Sequence, residues 1–105
     1  MSLKAVQENV DEWTKQFTPQ YWPPHQILAR LMEETGEVAR EINHLHGVKK
    51  RKAGEPEGNL GQELADIIMT ITCMANSHNI DLQKEWEILM ANKLRGRDQN
   101  RFDKK

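Results

Sequence analysis

The sequence predicts an all-α protein, a small four-helix bundle completed by homo-oligomerisation. Three observations carry this reading. Apolar residues recur at intervals of three and four through most of the 105 residues. No stretch alternates apolar and polar residues as a half-buried strand would. The breaks between periodic segments hold prolines, glycines and capping residues. One domain is expected over 1–105, ending in a basic tail from about 96 to 105. A chain this short buries only about two-thirds of its unfolded surface, so self-association is a natural supplement.

The first helix is expected from Leu3 to Phe17, where Leu3, Val6, Val10, Trp13 and Phe17 form one narrow apolar stripe. The stretch TPQYWPP ends it, because Pro23 and Pro24 lack backbone donors and Trp22 precedes a proline. Pro24 suits the first turn of a second helix that runs to His46, with Gly47 as its stop. Its expected buried face is Leu28, Leu31, Met32, Thr35, Val38, Ala39, Ile42 and Leu45. GVKKRKAGEPEG has no apolar period and reads as a loop.

Asn59 followed three residues later by Gln62 is a capping-box pattern, opening a third helix to about Asn76. Its stripe is Leu60, Leu64, Ile67, Ile71, Met74 and Ala75, while Ile68, Met69 and Cys73 extend apolar character around most of the cylinder. Nothing else in so small a chain hides such a helix, which is why a partner subunit is expected. Asp81 caps a fourth helix to about Leu94, with Leu82, Trp86, Leu89 and Met90 turned inward.

The formal net charge of -1 argues against a nucleic-acid-coating protein, which would carry a basic excess. The single cysteine, Cys73, sits in an apolar setting and reads as a core thiol in a reducing compartment. No apolar run approaches a membrane span and no leader pattern opens the chain, so a cytoplasmic protein with no membrane partner is expected.

The chemistry lies in the acids. Residues three apart on a helix have Cβ atoms ~5–6 Å apart, so Glu34 and Glu37 can reach one point, as can Glu63 and Asp66. Glu34 falls at the margin of the second helix's apolar stripe, beside Val38 and Leu45, and Glu63 falls beside Met74. If those stripes pack together, the two acidic pairs face one another. Two like charges ~5 Å apart at an effective dielectric of ~20 repel by roughly 3 kcal/mol. Either some of these acids stay protonated or cations hold them together, and hard divalent cations favour carboxylate oxygens. The histidines offer no zinc spacing: His44 and His46 diverge on a helix, and His25 and His78 are isolated.

EETGE, followed after 25 residues by ELAD, resembles the EExxE…ExxD signature of the MazG-like nucleotide pyrophosphohydrolases, within the all-α NTP pyrophosphatase superfamily. ILARLMEETGEVAREIN and ELADIIMTITCMANSHNIDL extend the likeness over nearly the whole chain. The resemblance implies Mg²⁺-dependent hydrolysis of a (d)NTP to a (d)NMP and pyrophosphate, with Mn²⁺ as a substitute and surplus or non-standard nucleotides as substrates. It also implies a homodimer or dimer of dimers. Carried onto this sequence, it makes Glu34, Glu37, Glu63 and Asp66 the metal ligands; Glu33 matches the motif's first acid, but its helical position points away from the buried stripe and leaves it at most a supporting place behind them. Glu37 is taken as the residue that orients or deprotonates the attacking water, a role that spacing does not single out.

Phosphates need donors as well. Lys93 lies in line with Leu82, Trp86 and Leu89, so it is expected to point inward. Lys93, with Asn92, Arg95 and Arg97, forms the candidate phosphate-binding set, and Lys93 is counted with Glu37 as catalytic. Trp22 and His25 are the candidates for contact with the base. Trp13, Phe17 and Trp86 fall on apolar stripes and are expected in the core. The alternative is a non-catalytic, metal-binding module that self-associates through the third helix.

Overall fold

A computed structural model describes residues 1–55, 57–96 and 100–105. The described residues form four helices and no strand: α1 (Leu3–Thr14), α2 (Pro24–His46), α3 (Leu60–Ser77) and α4 (Leu82–Leu94). Local chemistry sets their ends. Ser2, Asn59 and Asp81 each accept, at 3.0 Å, a backbone N–H three residues on, from Ala5, Gln62 and Lys84. Pro24 opens α2, and the Gly47 N–H donates back to the Asn43 carbonyl at 2.9 Å. α3 ends in a Schellman arrangement, in which Asn79 takes the left-handed conformation (φ 55°) and Ile80 N–H reaches the Ala75 carbonyl at 2.9 Å.

α1 stops at Thr14, three residues short of the expected Phe17. The Thr14 hydroxyl donates to the Val10 carbonyl at 2.8 Å, and Phe17 N–H closes a turn onto the Thr14 carbonyl at 3.1 Å.

α3 is the central element: α2 packs along it, α1 packs elsewhere on it, and α4 lies against α1. Gln7 ties the α1, α3 and α4 regions together. Its Nε2 donates to Asn76 Oδ1 and the Ile80 carbonyl, both at 2.8 Å, and its Oε1 accepts from Leu82 N–H at 2.9 Å.

Which faces are buried differs from expectation. Among the described residues, only Val10, Ile27 and Ala75 are buried apolar residues, while Thr14, Glu34, Glu41, Thr70 and Thr72 are buried polar ones. On α2 much of the expected inner stripe is outside: Leu28, Met32, Ile42 and Leu45 are exposed, while Leu31 and Val38 are half-buried. The face turned to α3 carries Glu34 and Glu41, about 100° around the helix. On α3, Leu64, Ile68 and Ile71 (i, i+4, i+7) make a second exposed stripe. Trp86 and Met90 are also exposed, and no residue of α4 is fully buried.

The reason is geometric. Four helices in this open arrangement have too few neighbours to cover both an acidic seam and two apolar stripes. The radius of gyration is 17.4 Å, against about 13 Å for a compact chain of this length. The accessible surface is 8509 Å², where a folded monomer of this mass exposes about 6,100 Å².

Candidate active site

Glu34, Glu37 and Glu41 stand at i, i+3 and i+7, a single row on the face of α2 that meets α3. Each acid is balanced differently. The Glu34 side chain is 3% exposed as a residue and is held from both sides. Thr70, itself buried on α3, donates its hydroxyl to Glu34 Oε1, and Arg30 Nε lies 3.4 Å from Oε2. At the other end Arg51, from the basic loop, donates to Glu41 Oε2 at 2.8 Å. The backbone of Gly58 lies so close that a methyl there would collide with the Glu41 carboxyl.

Between them, Glu63 of α3 meets Glu37. A hydrogen bond to Glu37, then burial, then repulsion from Glu37, Asp66 and Glu41 hold the Glu63 carboxyl above its ordinary range. Glu63 Oε2 is buried with no hydrogen-bond partner among the described residues. Asp66, one turn further on α3, is exposed. Among the described residues, no three acidic, histidine or cysteine side chains gather around a single point that would enclose an ion. The acids are spread along the seam, with Glu34 and Glu41 each held by partners of its own.

A cavity of 550 Å³ opens beside Glu34. Its wall holds Glu34, Asp66, Arg30 and Thr70, and also Trp13, Phe17 and Trp22. Trp13 and Phe17 are therefore not core residues in this chain. They are 54% and 46% exposed and meet edge to face, ring centroids 4.9 Å apart. Behind them the Tyr21 hydroxyl donates to Asp11 Oδ1 at 2.8 Å and accepts from Asn76 Nδ2 at 3.0 Å. The Tyr21 bond is the main reason the Asp11 carboxyl sits below its ordinary range. This network fixes the segment after α1, which carries Phe17 and Trp22 of the aromatic wall, onto α3. The Cys73 thiol also lines the cavity and is pushed up, first by burial and then by the charge of Glu34.

Of the other expected residues, Trp22 lines the cavity, whereas His25 is exposed and is not in its wall. Glu33 is exposed, on the outer side of α2. Lys93 does not point inward: it is exposed, as are Asn92 and Arg95, and none of the three lines the cavity. They sit at the end of α4, which packs on α1. Arg97 lies outside the described residues. Lys49, Lys50 and Lys52 line a separate cavity of 330 Å³ with Arg40 and His44.

Four residues at the seam were not singled out by the sequence reading: Arg30, Thr70, Glu41 and Arg51. Glu41 had a signal, since it extends the 34–37 spacing to a third position. Arg30 precedes Glu34 by four residues, a spacing shared by many surface ion pairs. Thr70 and Arg51 carried no signal that separates them from their neighbours.

The sequence and the fold both match known proteins. Residues 23–102 fit the family model of the MazG nucleotide pyrophosphohydrolase domain. The uncharacterized protein YpjD of Bacillus subtilis (strain 168) is 38% identical over 104 residues, spanning 99% of this chain and 93% of that protein. A crystal structure of YpjD from Bacillus subtilis superposes with a TM-score of 0.77 at 37% identity, covering 88% of this chain and 94% of that one. A crystal structure of the Bacillus-conserved MazG protein, a nucleotide pyrophosphohydrolase, gives 0.77 at 40% identity, covering 95% and 96%. The chain belongs to the MazG nucleotide pyrophosphohydrolase family. It is thus an enzyme of the nucleotide pyrophosphohydrolase class, and the non-catalytic module is set aside.

Proposed function

We propose that the protein is a Mg²⁺-dependent nucleoside triphosphate pyrophosphohydrolase that cleaves a (d)NTP to a (d)NMP and pyrophosphate. One observation carries this reading: a single cavity has stacking aromatics in one part of its wall and the carboxylates Glu34 and Asp66 in another. Its 550 Å³ is within the range of small-molecule sites. A nucleotide has the matching polarity, an aromatic base at one end and a polyanion at the other.

The residues fit a hard divalent cation. The donors are all carboxylate oxygens, and Glu63 Oε2, buried and without a hydrogen-bond partner among the described residues, is an acceptor suited to a positive partner. Glu34, Glu37, Glu63 and Asp66 would hold Mg²⁺, or Mn²⁺ in its place, and Glu33 stays outside the set. Bound there, the cation supplies charge neutralisation of the polyphosphate, polarisation of the α phosphorus and a lowered pKa for a coordinated water.

Around it the chain does the rest. Trp13, Phe17 and Trp22 stack on the base. Glu37, which meets Glu63 across the seam, orients the attacking water and takes its proton. Asn92, Lys93 and Arg95 reach phosphate only from a second copy of the chain, in a homodimer or dimer of dimers that covers the exposed stripes of α2 and α3. Removal of surplus or non-standard nucleotides in the cytoplasm is the role this chemistry suits. No described helix is long and apolar enough to cross a membrane.

The test is a panel of canonical and modified (d)NTPs, with and without Mg²⁺, with separation of the products. Monophosphate and pyrophosphate, formed only with the metal, are expected. Diphosphate and orthophosphate as products would refute the reading, as would full turnover in Glu34→Gln or Asp66→Asn.

A further inference from the structure

We infer that Arg30 is a phosphate-contacting residue of this site, parked on Glu34 until a divalent cation takes its place there. The inference rests on the reading of the cavity as a nucleotide site. Its first ground is position. Ile27, Arg30 and Glu34 lie on one face of α2, and all three line the cavity. At 1.5 Å of rise per residue, Arg30 stands about 4.5 Å beyond Ile27 along the axis and about 6 Å before Glu34. A nucleotide with its base among the aromatics and its phosphates at the carboxylates spans that level, so its phosphate chain passes Arg30.

The second ground is how the two partners of Glu34 differ. Thr70 is buried, 8% exposed, and its hydroxyl holds Oε1 from the far helix. Arg30 approaches Oε2 at 3.4 Å, beyond ideal hydrogen-bond length, and its side chain is 39% exposed. The pair also has the cation N-terminal to the acid, the weaker order on a helix. Arg30 can therefore leave without stranding Glu34, provided another cation arrives. Thr70 keeps the carboxylate aimed in either state.

The third ground is chemical fit. A guanidinium offers a planar fork of donors that matches non-bridging phosphate oxygens and stays charged at all working pH values. An arginine on the wall of a cavity suited to a polyanion, four residues from a carboxylate suited to a metal, serves both partners in turn. Divalent cation and Arg30 compete for Glu34, and the phosphates receive the loser.

This competition makes the test two-signed. Wild type, Arg30→Gln and Arg30→Lys are compared in two equilibrium measurements. One is binding of Mn²⁺ alone, followed by its paramagnetic signal. The other is binding of a non-hydrolysable α,β-methylene nucleoside triphosphate in saturating Mn²⁺. Arg30→Gln is expected to bind the metal at least as tightly as wild type but the analogue about 10- to 100-fold more weakly. Arg30→Lys, which keeps the charge and loses the fork, should recover only part of the analogue affinity. Analogue binding by Arg30→Gln within twofold of wild type overturns the inference while leaving the nucleotide site intact. A parallel fall in metal and analogue affinity overturns it too, since that is what a purely structural arginine would give. A wild type that binds Mn²⁺ but no analogue removes the nucleotide reading and this inference with it.

Discussion

Replacing Ile68 by Glu should separate the copies of this protein. Ile68 is 52% exposed on α3, in line with the exposed Leu64 and Ile71. In an isolated chain the change swaps an exposed apolar group for a solvated charge and costs almost nothing, because surface substitutions away from special features stay within about ±0.5 kcal/mol. In an oligomer that covers the stripe, two terms oppose association. The half-exposed isoleucine loses about 1 kcal/mol of burial, and a carboxylate driven out of water costs several kcal/mol more. About 4 kcal/mol per copy weakens association at least ~1,000-fold. The chain exposes roughly 2,400 Å² more than a folded monomer of its mass, well above the ~800 Å² per partner of a standard interface. Sedimentation velocity at micromolar concentration is the assay. Wild type is expected at two or four times 12.2 kDa and Ile68→Glu at or near 12.2 kDa. A wild type sedimenting at 12.2 kDa would refute the reasoning, as would an unchanged mass in the variant.

Two further outcomes concern the seam. Thr70→Val removes the donor from Glu34 while keeping the side-chain shape. A hydrogen bond to a charged group contributes about 1.5–3 kcal/mol, so a drop in Tm on the order of 10 °C is expected in metal-free protein, with Thr70→Ser restoring most of it; differential scanning calorimetry at fixed protein concentration measures both. Because the Glu63 carboxyl is held above its ordinary 4.5 in the folded state, the folded protein keeps its proton longer than the unfolded chain does. The metal-free Tm should therefore fall as pH rises from about 4.5 through that raised value. Glu63→Gln should flatten this fall, which Tm against pH for the two proteins shows directly. Asp11 works in the opposite sense: its contribution is full above 3.8 and is lost as pH falls through its lowered value.

The helices were legible because their ends are local chemistry. Pro24, Gly47, Asn59 and Asp81 act within one turn of themselves, and α2 begins and ends where the sequence places it. Phe17 was misplaced because its apolar spacing continues past the point where Thr14 turns back on its own helix. The facing of α2 was not legible. An apolar stripe through Leu28 and Met32 and an acidic row through Glu34 and Glu41 lie about 150° apart, and hydropathy favours burying the first. The single chain buries the second, whose carboxylates find partners in Thr70 and Arg51.

The acids themselves were readable from their spacing, and so was the need to balance them. What balances them was not. Thr70 and Arg51 reach their partners across 36 and 10 residues of sequence, through packing that no local pattern records. Trp13 was assigned to the core for the same reason as Leu28. An aromatic on an apolar stripe looks alike whether it meets another side chain or faces a cavity.

The central claim is that carboxylates from α2 and α3 share one divalent cation. Its most direct test is Mn²⁺ binding to the wild type and to Glu34→Gln and Asp66→Asn, one acid from each helix, titrated without nucleotide. Saturable binding by wild type is expected, with a loss of at least about tenfold in either variant, since each removes one charged donor. Equal affinity in all three proteins would contradict it.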